Sequence, residues 1–287
     1  STILFTVDGR QTGYSAGLTL TDLAEQMVRL GCVTAINMDG GGSTTNGLFY
    51  PGYTNFSIAN SPSDGALRSC ANFVMLVNEQ PAVGNTAHLH IYPYDEAVLA
   101  GASYALSVKA TDSSYHAVSV PSDITYTAAG EVGTVSGGRF VSSTAGEGVI
   151  TAFSSATGAS GEAKVHVYNT VDVITVQKDG SSSNITSLTA KTGETIELNV
   201  TAYLNRRKLI TDDGQFTFSV SGDIGTINAR GTFTASDRSG ASGSIKVSYG
   251  SVSKEIPVKI GTTTPVLVAA FDTAAWKIDP ALTSAHA

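Results

Sequence analysis

Val132-Gly133-Thr134-Val135 followed by Gly138-Arg139-Phe140-Val141 is echoed by Ile224-Gly225-Thr226-Ile227 followed by Gly231-Thr232-Phe233-Thr234. The two copies lie about ninety residues apart, the length of one β-sandwich module. Each copy closes on an alternating run, 162–167 in the first and 252–260 in the second, the pattern of a strand with one face buried. Around both, the chain is Ser, Thr, Val and Gly in short alternating stretches, so two tandem β-sandwiches are expected over 85–168 and 170–260. Residues 261–287 then read as a linker, Thr262-Thr263-Thr264-Pro265, and the start of a truncated next domain.

Composition agrees with folded, turn-rich modules. Charged residues make up only 14% of the 287, against 41% hydrophobic residues and 30 glycines, which argues against disorder. The balance of 24 acidic to 17 basic residues, net charge -7, excludes an electrostatic grip on nucleic acid or anionic lipid. No apolar run approaches the roughly 20 residues that span a bilayer, and residues 1–8 have neither the basic start nor the length of a signal peptide. Cys32 and Cys70 permit one disulfide, with free buried thiols as the alternative.

Before Pro81 the character changes to mixed strand and helix signals, giving an α+β segment over 1–80 ahead of the all-β remainder. Residues 3–7 form a short apolar run ending in the turn Asp8-Gly9-Arg10. Thr19 can cap a helix over about 20–30, with Asp22 three residues on, Leu23, Met27 and Leu30 on one face, and Gly31 as terminator. Residues 33–38 and 72–77 read as buried strands.

The polar motifs fall at the ends of those expected strands. Asn37-Met38-Asp39-Gly40-Gly41-Gly42-Ser43 is the most informative, because three consecutive glycines lose much conformational entropy on ordering and fit where a tight turn or close backbone approach requires them. An ordinary hairpin or bulge is the competing reading. Neither a Walker A element nor a G-x-G-x-x-G opening a helix is present. Asp8, Arg10, Asp39 and Arg68 together would place carboxylates and arginine beside free backbone N–H groups, as cleavage of an anionic, oxygen-rich substrate requires. His88 and His90 alternate on one strand without a third ligand, and the first segment contains no histidine for a triad. Scattered Asp8, Asp39 and Asp64 match no calcium-binding loop, so no cofactor is expected and a divalent cation stays open.

Val7-Asp8-Gly9-Arg10, Ser15-Ala16-Gly17-Leu18-Thr19-Leu20, Ala35-Ile36-Asn37-Met38-Asp39-Gly40-Gly41-Gly42-Ser43-Thr44 and Asn60-Ser61-Pro62-Ser63-Asp64-Gly65 with Arg68 together resemble the phosphodiester glycosidase family. The resemblance covers 1–78 and looks like the C-terminal half of that family's catalytic domain, the first half lying upstream of Ser1. It implies hydrolysis of sugar 1-phosphodiesters, as by an N-acetylglucosamine-1-phosphodiester alpha-N-acetylglucosaminidase, with this chain inactive alone. Asp39 is then the first choice for nucleophile or base and Asp8 the second, with Arg68 and the N–H groups of Gly40, Gly41 and Gly42 stabilising the leaving phosphate. Arg10, Asn37, Ser43 and Thr44 complete the candidate substrate contacts. The two repeats resemble bacterial immunoglobulin-like domains, which implies an extracellular or cell-surface location. A non-catalytic surface carbohydrate binder or adhesin with such modules as spacers is the alternative.

Overall fold

A computed structural model of the chain describes residues 2–11, 14–70, 73–212 and 214–261. The chain divides into two compact units, Ser1–Tyr168 and Asn169–Ala287. The linker and next-domain expectation for 262–287 lies outside the described residues.

In the first unit, a three-stranded sheet runs in the order Ser103–Ala105, Arg139–Ser142, Gly133–Ser136. A larger sheet runs Ala117–Val118, Ser107–Thr111, His88–Tyr92, Ser160–Tyr168, Gly146–Ser154, Ile124–Ala129. Asp95–Leu99 joins it in parallel along Lys164 to Tyr168, beyond the point where His88 pairs with Ser160. Leu89, Ile91, Val98, Leu99, Phe140, Ile150 and Val165 fill the core, each no more than 3% exposed.

The second unit follows a related plan. One sheet is Val173–Lys178, Thr195–Leu204, Thr232–Ala235, Gly225–Ile227, and the other is Leu188–Lys191, Val252–Gly261, Ser242–Tyr249, Thr217–Ser221. Here too a short strand, Leu188–Lys191, runs parallel to the closing strand. Along Val252–Gly261 buried and exposed residues alternate, with Ile256, Val258 and Ile260 inward, as the period of two requires.

The repeated motif is one hairpin in both units. Phe140 pairs with Val135 and Phe233 with Ile227, and both phenylalanines are fully buried. The glycine that opens each copy has a packing reason. A Cβ at Gly133 would overlap the Val141 carbonyl and the Phe140 ring, and one at Gly225, φ 130°, would overlap the Thr234 carbonyl.

The N-terminal segment is built differently. The helix Leu20–Arg29 forms with the reciprocal Thr19–Asp22 capping box, and Gly31 ends it at φ 78°. Leu23 and Met27 are half-buried but no helix residue is fully buried. The expected strands at 3–7, 33–38 and 73–77 do not form; Asn72, which would begin the last, lies outside the described residues. Strand geometry needs a neighbouring edge to take up N–H and C=O groups, and none lies beside these runs among the described residues. Strands form instead at Gly47–Phe49 and Phe56–Ile58, an antiparallel hairpin.

Within the first unit, two ties join this segment to the sheet that follows. The hairpin tip packs on Tyr92, whose hydroxyl donates to the Pro51 carbonyl at 3.0 Å, while Tyr53 lies 5.1 Å from the Tyr92 ring and under the Lys109 ammonium. Residues 78–84 are strapped to the turn at 112–116: the Asn78 amide donates to the Ser114 carbonyl, His116 Nε2 bonds the Gln80 carbonyl, and Asp112, a fully buried carboxylate, accepts from the N–H groups of Val83, Gly84, Ser114 and His116. The Gly84 N–H is the foremost of these donors, and together they hold the Asp112 carboxyl down at about 2.

Candidate functional site

Asp8 follows the apolar run 3–7 and enters a tight loop. Gln11 and Ser15 form an antiparallel bridge, and the Ser15 hydroxyl donates to the Asp8 carbonyl at 2.5 Å. Gly9 lies against the Gly17 backbone, where a Cβ would come within 3.0 Å of the Gly17 Cα. That approach closes the loop and turns the half-buried Asp8 side chain toward residues 60 and 61.

The Asp8 carboxylate is fixed by three donors. Oδ1 accepts from the Asn60 amide at 3.0 Å and the Ser61 N–H at 2.9 Å, while Oδ2 accepts from that same N–H at 3.0 Å and from the Tyr14 hydroxyl at 3.1 Å. Donating to Asp8 pushes the Tyr14 hydroxyl pKa up, since its proton is already engaged. Gln11 and Ser61 brace the arrangement reciprocally: Gln11 Nε2 donates to the Ser61 carbonyl at 2.7 Å and the Ser61 hydroxyl to Gln11 Oε1 at 3.1 Å.

Asn60 also reaches the glycine-rich loop. Its amide donates to the Thr44 carbonyl at 2.8 Å and its side-chain oxygen accepts the Asn46 N–H at 2.7 Å. The hairpin makes this possible, because Gly47 pairs with Ile58 and sets Asn46 opposite Ala59, whose N–H donates to the Asn46 carbonyl at 2.7 Å, with Asn60 the next residue along. Phe56 covers Gly47, where a Cβ would overlap its ring.

The glycine loop also meets Asp64, which in turn holds Arg68. Gly42 is buried, and a Cβ there would overlap the Asp64 carboxylate. The Asp64 N–H donates to the Gly42 carbonyl at 3.0 Å, and Arg68 pairs with Asp64 at 2.6 Å. Gly41, at φ 136°, carries the turn that lets Thr44 N–H reach back to the Gly41 carbonyl. An open groove beside these residues is lined by Ile58, Asn60, Ser61, Pro62, Gly65 and Leu67, among others.

Of the sequence-predicted residues, Asp8, Gly42, Ser43, Thr44 and Arg68 are gathered around Asn60 and Asp64. Arg10, Asn37, Asp39, Gly40 and Gly41 are exposed on the two loops, and no hydrogen bond reaches the Asp39 carboxylate among the described residues. Tyr14, Gln11 and Asn46 were not singled out by sequence, and Asn60 stood in one of the family-like stretches without a site role. Their signal is the polar turn Asn60-Ser61-Pro62-Ser63-Asp64, whose amide only the folded partners reveal as a node.

Cys32 and Cys70 are both free thiols. His88 and His90 hold no metal set: His88 stacks on Tyr115 at 4.8 Å, and His90 bonds the Thr111 hydroxyl, with burial lowering its pKa. Among the described residues, no group of three or more His, Cys, Asp or Glu is arranged to hold a metal. None of their helices is long and apolar enough to cross a membrane.

The phosphodiester glycosidase family model matches residues 1–77. Every residue of the Asp8–Asn60–Gly42–Arg68 arrangement lies inside that match. No curated protein matches the chain. Among solved structures, the surface layer protein SbsC, domains 1-6, aligns over 62% of this chain at 16% identity with a TM-score of 0.26, and the chain covers 27% of its length. Human protocadherin-24 EC1-2 aligns over 62% at 10% identity with a TM-score of 0.22, covering 99% of that chain, and Drosophila N-cadherin EC1-3 over 62% at 10% with 0.22, covering 69%.

Proposed function

We propose that residues 1–77 contribute one part of the active site of a phosphodiester glycosidase that hydrolyses sugar 1-phosphodiesters of the alpha-linked N-acetylglucosamine type. The observation that carries this is the Asp8 carboxylate, held by three donors and tied through Asn60 to the glycine loop that Asp64 and Arg68 flank, all within the family match.

In this reaction the bond between the anomeric carbon and the phosphate oxygen breaks. The electron pair leaves with the phosphate, positive charge grows on the sugar ring, and water or a carboxylate forms the new bond to carbon. A leaving phosphate monoester is a weak base, so charge stabilisation matters more than protonation. Arg68 suits that part, because its guanidinium has five N–H donors in a rigid fork and can hold Asp64 along one edge while presenting the other to phosphate. The N–H groups of the glycine loop, at Gly40, Gly41 and Gly42, add donors that need no reorganisation. Asp8 serves as nucleophile or as base for water. It takes precedence over Asp39 in this reading because its orientation is fixed, whereas Asp39 stands free on the loop. Arg10, Asn37, Asp39, Ser43 and Thr44 remain candidates for sugar contacts.

The site is completed by further strands. Residues 3–5, 33, 36, 38 and 73–77 expose apolar side chains, Val74 by 57% and Leu76 by 63%, in runs with no strand pairing among the described residues. Strands from the N-terminal half of the catalytic domain would cover them. The β modules over 85–168 and 170–260 are immunoglobulin-like spacers that hold the enzyme at a cell surface or outside the cell.

Release of free sugar from an alpha-linked N-acetylglucosamine 1-phosphodiester tests the reading. Turnover is expected from the chain extended upstream to a complete domain, and its loss with Asp8→Asn. Binding of the phosphodiester without turnover in the extended chain would replace the enzyme with a surface carbohydrate binder.

A further inference from the structure

We propose that Asn60 is a positioning residue whose side-chain amide sets the Asp8 carboxylate against the glycine-rich loop; this rests on the phosphodiester glycosidase reading. The amide uses both N–H groups and its oxygen at once. One N–H goes to Asp8 at 3.0 Å, the other to the Thr44 carbonyl at 2.8 Å, and the oxygen takes the Asn46 N–H at 2.7 Å.

Among the described residues no hydrogen bond runs from Asp8 to residues 44–46, and Asn60 bonds both. Asp8 lies 52 residues from Asn60, and Thr44 and Asn46 lie 16 and 14 residues from it. Asp8 follows a run with no strand pairing, so its place is not imposed by a sheet. The Ser61 N–H and Tyr14 hydroxyl hold the carboxylate as well, but among the described residues neither hydrogen-bonds residues 40–46. Among the described residues Asn60 is the one whose side chain bonds both the carboxylate and the loop, while the Ser61 N–H to Asp8 and the Asp64 N–H to the Gly42 carbonyl flank it.

The side-chain inventory explains why this position calls for asparagine. Serine and threonine offer a single donor, aspartate none, and glutamine carries its amide one methylene too far for all three bonds. Asn60 thereby ties Asp8 to the loop at the Thr44 carbonyl, as Asp64 ties Arg68 to it at the Gly42 carbonyl. Placement of this kind counts heavily in catalysis, where a misplacement of about 1 Å can cost on the order of a hundredfold in rate.

Asn60→Asp separates positioning from folding. The aspartate keeps an acceptor for the Asn46 N–H, so the hairpin end retains its bond, but it loses both donors and sets a carboxylate against Asp8. In the chain extended to the complete domain, kcat on an alpha-linked N-acetylglucosamine 1-phosphodiester is expected to fall about a hundredfold with KM within about threefold. The melting temperature is expected to hold within a few degrees, and Asn60→Ala to lose kcat likewise. In the chain as it stands, with carbon-13 in all aspartate side-chain carboxyls, the Asp8 resonance is expected to move in Asn60→Asp while those of Asp112 and Asp123 stay in place.

Wild-type turnover with kcat of Asn60→Asp within threefold would overturn the inference and leave the glycosidase reading standing. So would an unmoved Asp8 resonance, or a loss of kcat that comes only with a collapsed melting temperature, since the residue would then be a structural brace. Absence of turnover in the extended wild type would overturn the reading, and with it the positioning role.

Discussion

Residues 33–38 and 73–77 carry the same kind of apolar run as the repeated hairpins at 132–141 and 224–234, yet the two regions end in opposite states. In the repeats, Phe140 and Phe233 are completely buried and their strands are paired on both sides. In the N-terminal segment the apolar residues face water and the runs pair with nothing among the described residues. An apolar run specifies a strand only when another edge is present to receive it. The repeats carry their own edge a few residues away, across a glycine turn; the N-terminal runs would need theirs from elsewhere.

The sharpest way to break this contrast is to cut into both regions. Phe140→Ala in the first unit, or Phe233→Ala in the second, is expected to cost about 3–5 kcal/mol in denaturant unfolding, because each ring leaves a cavity in a closed core. Val74→Ser is expected to change stability by no more than about 0.5 kcal/mol in this chain, as for other exposed positions. A cost above about 2 kcal/mol at Val74 would show that the segment has a core of its own.

An intermediate effect concerns the strap onto the first sheet. The Asp112 carboxyl is held at about 2 against an ordinary 3.8, and Asp123, bound first by the Ser154 hydroxyl and then by the Ala156 N–H and the Ser155 hydroxyl, is held likewise at about 2. Depressed values mean that the folded state favours the charged form. Their contribution is present above about pH 4 and is lost as the pH falls toward 2. The melting temperature of the first unit should therefore drop across that window, and Asp112→Asn should lower it at neutral pH while flattening the drop. An acid profile unchanged by Asp112→Asn would remove the clamp from the account.

Smaller still is the helix cap. Thr19→Ala removes the acceptor for the Asp22 N–H and is expected to cost the helix about 1 kcal/mol. Hydrogen exchange at the amides of Leu20–Arg29 should speed up about fivefold, with no change in the strands of either unit. Equal acceleration in the sheets would mean that the segment and the sandwich open together.

What the sequence made legible was local. The capping box is written in Thr19 and Asp22, three residues apart, and the hairpins in glycines that a Cβ would disrupt. What it hid was long-range. Residues 3–7, 33–38 and 73–77 have strand composition, but whether they pair depends on chain outside their own window. Asn60 is an ordinary turn residue until Asp8, Thr44 and Asn46 are brought to it. Asp39 stands out in the glycine motif, whereas Asp8 becomes the better-placed carboxylate only through donors contributed by residues 14, 60 and 61. Among its described residues the segment forms one helix and one short hairpin, and the strands expected at 3–7, 33–38 and 73–77 do not form.

The most direct test of the account is steady-state release of N-acetylglucosamine from its alpha-linked 1-phosphodiester by three proteins: this chain, the chain extended to cover its exposed apolar runs, and the extended chain with Asp8→Asn. The account predicts turnover in the extended wild type alone. Equal turnover in the Asp8→Asn protein, or none in the extended wild type, would contradict it.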